Sequence, residues 1–364
     1  MEPLSLTLEQ GEKIVRKHLA SHGNSTVQLI KEIKNNGYSY TSGTRTYILD
    51  LVLEGARVPS CLCFITISHP NPTESDSIYR PNTLPITHDI ISRIRAHTDI
   101  PIPNPTLDTT LDLVPFHFLL SPTSPMLSSD ITPLSTARKC GLLSPEDIVL
   151  VDLQIGRFLG QLHSGVQNDW FGPMRLDVPS DPSYSWQETF TLLLETLLSE
   201  FQSSGVDFPY EEIRGHLSRA IGFFLFDDVE APSLIWFTGS EDDIYIALPS
   251  RTAPTTRGIA AILPNVAHAI WGDPLLESFF LPPAPSSAVQ EGYLASGGKE
   301  TIVVPRQKTK RIWYSLFLGL IILRERSHKG CVDDPAPDAS NVDKDWAMGL
   351  ILKSIKALSD APCY

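Results

Sequence analysis

No apolar run in the chain is long enough to cross a membrane. The most apolar stretch, Tyr314–Leu323, spans about ten residues, and a bilayer core needs about twice that. It reads as a buried helix. The first twenty residues are amphipathic and mixed in charge and lack the apolar core of a signal peptide. The expected location is therefore the cytoplasm, with no membrane span. Basic charge is also scarce. Lys and Arg total 29 against 42 Asp and Glu, a net charge of -13. Such a surface repels phosphate backbones, so nucleic acid is not an expected partner. The five cysteines, Cys61, Cys63, Cys140, Cys331 and Cys363, are odd in number and fit no zinc spacing. They read as thiols in a reducing compartment. There is no Gly-x-Ser-x-Gly, His-Glu-x-x-His or Cys-x-x-Cys motif and no internal repeat.

What remains is ordinary globular material, 42% hydrophobic and 20% charged. The 30 prolines cluster at 101–105, 122–133, 173–182 and 282–285, which reads as long ordered connections. Apolar spacing predicts a helix over 8–22. Strands are predicted over 27–33, 46–53 and 59–68, separated by turns at Asn35–Gly37 and Glu54–Gly55. A polar loop is expected from Asn71 to Pro85. A helix should cover Thr87–His97, with Thr87 and Asp89 as start signals, and a strand Val114–Leu120.

From about residue 134 the pattern turns helical. Ser144, Pro145 and Asp147 form a capping box ahead of a helix ending near His163. Further helices are predicted over 186–202, 210–226, 311–325 and 341–359. Short strands are predicted over 233–237, 244–248 and 259–263. The expected fold is α+β and two-lobed: a small β-rich lobe with one crossing helix over 1–120, a linker over 121–133 and a larger, mainly helical lobe over 134–364.

Four stretches match one family in order. His97–Pro103 resembles a helix-end signature of fungal aminoglycoside-phosphotransferase-like proteins. Phe158–His163 followed by Phe171-Gly172 is similar to their first large-lobe helix. Ala269–Glu277 resembles the segment after their metal-binding loop, and Arg311–Ile322 a late helix. The resemblance implies a protein-kinase-like fold, with nucleotide between the lobes and an acceptor or protein over the large lobe.

Phosphoryl transfer needs a lysine on the phosphates, a helix glutamate to position it, a base Asp, and an Asn and Asp on magnesium. The resemblance puts the lysine at Cys63 or Phe64, yet no lysine occurs from Arg45 to Arg80. The glutamate would fall near Thr87–Asp89, where Asp89 is the candidate substitute. Tyr38 and Tyr40 are bulky for a loop covering phosphates, and Asn36-Gly37 and Ser42-Gly43 are the only glycine pairs there.

Thr238 stands at the base Asp, and a threonine hydroxyl cannot accept a proton at neutral pH as a carboxylate does. Asp243 stands at the metal Asn and could still ligate a cation together with Asp242. Asn265 stands at the metal Asp. Asp273, Trp271 and His163 are expected to be structural, with Asp273 bonding backbone near the catalytic loop. The expected function is therefore a catalytically degenerate, pseudokinase-like binding or regulatory module, with a small molecule or protein in the inter-lobe cleft and no assigned cofactor. Two alternatives stay open: an ATP- and magnesium-dependent small-molecule kinase built on Glu241, Asp242, Asp243 and Asp273, and a non-kinase enzyme of a fungal biosynthetic pathway.

Overall fold

The structure is a computed structural model that describes residues 4–19, 25–33, 38, 41–53, 61–70, 79–123, 131–247, 258–282, 285–300, 304–327 and 337–362. The expected turns at Asn35–Gly37 and Glu54–Gly55 and most of the 71–85 loop lie outside these residues.

The small lobe opens with α1 (Leu8–His18), where Thr7 and Gln10 form a capping box. It stops four residues short of the expected end, with Leu19 already out of helical geometry. Strands β1 (Ser25–Ile33), β2 (Thr44–Leu53) and β3 (Cys61–Ser68) form an antiparallel meander. Helix α2 (Leu84–His97) begins three residues earlier than expected, because Pro85 suits the first turn. Thr87 therefore lies inside the helix, and Asp89 pairs outward with Arg93 at 2.8 Å. Strands β4 (Thr106–Asp108) and β5 (His117–Pro122) complete a five-stranded sheet in the order β1-β2-β3-β5-β4.

The alternation of side chains along β3 assigns its two faces. Cys63, Ile65 and Ile67 are buried in a core with Ile14 and Val15 of α1. Phe64 and Thr66 face the other lobe. Cys63 is thus on the wrong side of the sheet to stand in for a cleft lysine.

The expected 121–133 linker carries structure at both ends. β5 runs to Pro122, and β6 (Ile131–Pro133) joins a large-lobe sheet. Then come α3 (Leu134–Lys139) and α4 (Pro145–Gly165), the latter with the Ser144–Asp147 capping box formed. β7 (Gly172–Pro173), α5 (Trp186–Ser203) and α6 (Tyr210–Gly222) follow. Strands β8 (Ser233–Ile235), β9 (Ile244–Ala247), β10 (Ile259–Ile262) and β11 (Ile270–Gly272) build two three-stranded sheets, ordered β10-β9-β6 and β7-β11-β8. The chain ends with α7 (Ser287–Ala295), α8 (Pro305–Ser327) and α9 (Pro337–Asp360).

Helices α4 and α7 cross so closely that a Cβ at Gly156 or Gly292 would overlap backbone of the facing helix. That close approach fixes both glycines. The main core lies in the large lobe, where α5 and α8 pack Trp186, Phe190, Trp313, Tyr314 and Phe317 together. No helix among the described residues is long and apolar enough to cross a membrane.

Candidate functional site

The two lobes meet over a hydrophobic contact. Phe64 of β3 packs on Tyr245 of β9, ring centroids 5.3 Å apart, with Ala261 and Leu263 completing the cluster. Phe64 is 1% and Tyr245 3% exposed, so aromatic rings fill this part of the interface.

Beside them lies a cavity of ≈ 30 Å³ lined by Thr46, Thr66, Thr87, Ser121, Asn82 and the 263–267 segment. Thr66 and Thr87 sit on the strand and helix that would carry a kinase's lysine and glutamate. The rim is held firmly. The Asn82 side-chain amide donates to Val266 O at 2.8 Å and Ala269 O at 3.0 Å.

The loop that would be catalytic runs from Trp236 to Asp243. Phe237 has φ of 65°, a left-handed conformation that costs a side-chain-bearing residue about 1 kcal/mol or more. Its ring stacks on Phe317, centroids 5.3 Å apart, which holds it there. Thr238 follows, fully buried. Its amide donates to Trp236 O at 2.9 Å, while its hydroxyl has no hydrogen-bond partner.

Ser240 caps a 3₁₀ turn over Glu241–Asp243. Asp243 is 3% exposed. Its Oδ1 accepts from Asn265 Nδ2 at 3.3 Å, and its Oδ2 from the Ser240 amide at 3.1 Å and hydroxyl at 3.3 Å. The Asn265 carbonyl in turn accepts from Trp236 Nε1 at 3.0 Å. Asp243 and Asn265 therefore touch, and Thr238 belongs to the same loop. Burial pushes the Asp243 carboxyl up to about 7. The bonds from Asn265 and Ser240 offset this only in part, and Asp242 adds to the rise.

The other acids do not join it. Asp242 accepts from Ser135, and Glu241 pairs with Arg138 at 2.9 Å. Asp273 accepts from the Leu275 amide at 2.9 Å, from Tyr314 at 2.7 Å and from Lys310 at 2.5 Å. Its expected bond to the catalytic-loop backbone is made by another residue. Glu277, wholly buried, accepts from the Trp236 amide at 3.0 Å and lies 3.4 Å from His163 Nε2. Buried His163 contacts Tyr293 through Nδ1 at 3.0 Å. Trp271 is buried on β11, paired with Leu234 and Gly172. A lysine and two carboxylates do meet, as Lys310 with Asp228 and Asp273. All three lie in the large lobe, next to Tyr314, and not in the cleft.

Two solved structures share this architecture. The chain is similar to a candidate aminoglycoside phosphotransferase from Ralstonia eutropha, at 12% identity and a TM-score of 0.58, covering 98% of this chain and 100% of that one. It is also similar to a choline/ethanolamine kinase family protein from Mesorhizobium loti, at 11% identity and a TM-score of 0.52, with 98% and 96% covered. The chain has the two-lobed protein-kinase-like fold. No protein-family model matches it, and no curated protein does.

That fold implies a nucleotide with its magnesium, and the donor set does not fit them. A hard divalent cation needs several ionised oxygens with open lone pairs. Asp243 is held toward its neutral form and both its oxygens are engaged. Asn265 offers only a neutral amide, and among the described residues no cation lines the cleft cavity. Among the described residues, no group of three or more His, Cys, Asp or Glu side chains could hold a metal.

Several of these groups escape sequence reading. Glu277 lies four residues past Asp273 and was readable only as part of the same segment. Thr66 was signalled by the alternation Phe64, Thr66, Ser68 along β3. Thr87 was masked by its resemblance to a helix start.

Proposed function

We propose that this protein is a catalytically degenerate phosphotransferase-fold protein of the fungal aminoglycoside-phosphotransferase-like type. It serves as a binding or regulatory module whose inter-lobe cleft takes a small molecule or a protein segment. The observation that carries this reading is the state of Asp243. It is the acid of the loop that would hold metal, yet it is buried, bonded through both oxygens to neutral groups and shifted toward its protonated form. Thr238 supplies no base, Phe64 packs on Tyr245 where the lysine would stand, and Asp89 pairs outward with Arg93. Phosphate grip, proton acceptor and metal charge are each worth orders of magnitude in rate, so their joint loss is not repaired by one local change.

The Glu277–Trp236 bond and the left-handed Phe237 give the loop one fixed shape, which suits a binding role. The test is thermal unfolding with ATP, with and without magnesium. A ligand that binds only the folded state raises its stability. No magnesium-dependent rise is expected. A saturable rise would contradict the proposal.

A further inference from the structure

We propose that the hydroxyl-lined cavity between the lobes is a recognition site for a compact, uncharged polyol. This deepens the degenerate-cleft reading and rests on it. Five hydroxyl residues from four elements converge here: Thr44 and Thr46 of β2, Thr66 of β3, Thr87 of α2 and Ser121 of β5, and Thr44 donates to Thr41 at 3.2 Å. Thr46 and Thr66 satisfy one another, their oxygens 3.1 Å apart. Thr87 and Ser121 do not. They are 8% and 5% exposed, line the cavity, and have no side-chain hydrogen-bond partner among the described residues. Hydroxyls that face such a cavity ordinarily pair with protein, water or ligand.

The charge of the occupant follows from the lining. None of the described residues around the cavity is charged, and a bare ion taken from water finds nothing there to compensate its lost hydration. A hydroxyl group both donates and accepts, which matches Thr and Ser partners that do the same. The volume, ≈ 30 Å³, is roughly twice what one water needs. It suits a single hydroxymethyl arm, so a slim polyol fits better than a bulky ring. The rim formed by Asn82 and the 263–267 segment is already bonded, which preorganises the site.

The test is ligand-observed saturation-transfer NMR on the full chain. Glycerol, erythritol and myo-inositol serve as neutral probes, with inorganic phosphate and magnesium-ATP as charged comparators. At least one polyol should give a saturable signal, and the charged probes none. Thr66→Val, close in shape and suited to a strand, and Ser121→Ala should each weaken the polyol roughly two- to tenfold, the value of one neutral hydrogen bond. Should one variant not fold, the other gives the same readout. Thr66→Lys, which places an ammonium in the cavity, should abolish the signal. No polyol signal, or one unchanged in the variants, overturns the proposal. If magnesium-ATP is also silent in that case, the degenerate-site reading still stands. Binding of magnesium-ATP overturns both.

Discussion

Replacing Asp243 with asparagine should stabilise this protein at alkaline pH and change little in acid. Burial lifts the carboxyl from 3.8 to about 7. Between those values the folded state holds a proton that the unfolded chain has released. The stability linked to that proton is complete below about pH 4 and is lost as pH rises through 7. At about 1.4 kcal/mol per pH unit, the gap corresponds to about 4 kcal/mol by pH 8. Asparagine cannot ionise and so escapes this loss. Its amide can keep the Ser240 bonds through oxygen and donate to Asn265 once that side chain turns over. Urea unfolding of both proteins from pH 4.5 to 8.5 measures the effect. Asp243→Asn should match the wild type within about 1 kcal/mol at the acid end and exceed it by up to about 4 kcal/mol at the alkaline end. A difference that stays flat with pH refutes the reasoning. So does a variant weaker than wild type at pH 8.5, because it would mean that the ionised carboxylate has a cation partner.

Three further outcomes follow from the same geometry. Burial alone would raise Asp108, but the Thr110 amide and hydroxyl, His18 and Lys17 bring it down to about 2. Its contribution, about 2 kcal/mol, is present above pH 4 and lost as pH falls toward 2, so Asp108→Asn should flatten the acid limb of a stability-versus-pH curve. Phe64→Ala removes a buried ring from the lobe contact and should cost about 3–5 kcal/mol in chemical denaturation, without creating magnesium-ATP affinity. Glu325, 2% exposed, accepts from the Ser42 amide at 2.9 Å and hydroxyl at 3.0 Å. Glu325→Gln weakens a charge-assisted pair by about 1–2 kcal/mol, and faster hydrogen exchange at the Ser42 amide would register it.

Much of the fold was legible because its long elements carry strong local signals. The Ser144–Asp147 capping box, the β-rich run ending at Ser68 and the apolar Tyr314–Leu323 stretch each specify an element from within. The elements missed were short. β4, β6 and β11 have three residues each and exist only through pairing with distant partners, which a local pattern cannot carry. Helix α7 was missed for a related reason: its Gly292 lowers helix propensity and makes sense only against Leu153 across the α4 contact.

The resemblance singled out Thr238, Asp243 and Asn265, and the structure brings Asp243 and Asn265 into contact, with Thr238 in the same loop. What the resemblance lacked was direction. Cys63 and Phe64 are neighbours in sequence, and only the sheet shows that Cys63 packs toward α1 while Phe64 meets Tyr245. Likewise the resemblance picks Asp273 to brace the loop. Pairing with Lys310 and Tyr314 draws Asp273 away and leaves Glu277 to do it. Tyr38, which looked like an obstacle to phosphate, packs on Trp346 with centroids 5.2 Å apart, a contact across 308 positions of chain that no window reveals.

Isothermal titration of ATP into the full chain, with magnesium and then with chelator, puts the account at most risk. A flat trace under both conditions is the predicted outcome, since no described residue lining the cleft cavity is charged and Asp243 is bonded through both oxygens. Stoichiometric heat that disappears when magnesium is removed would contradict it.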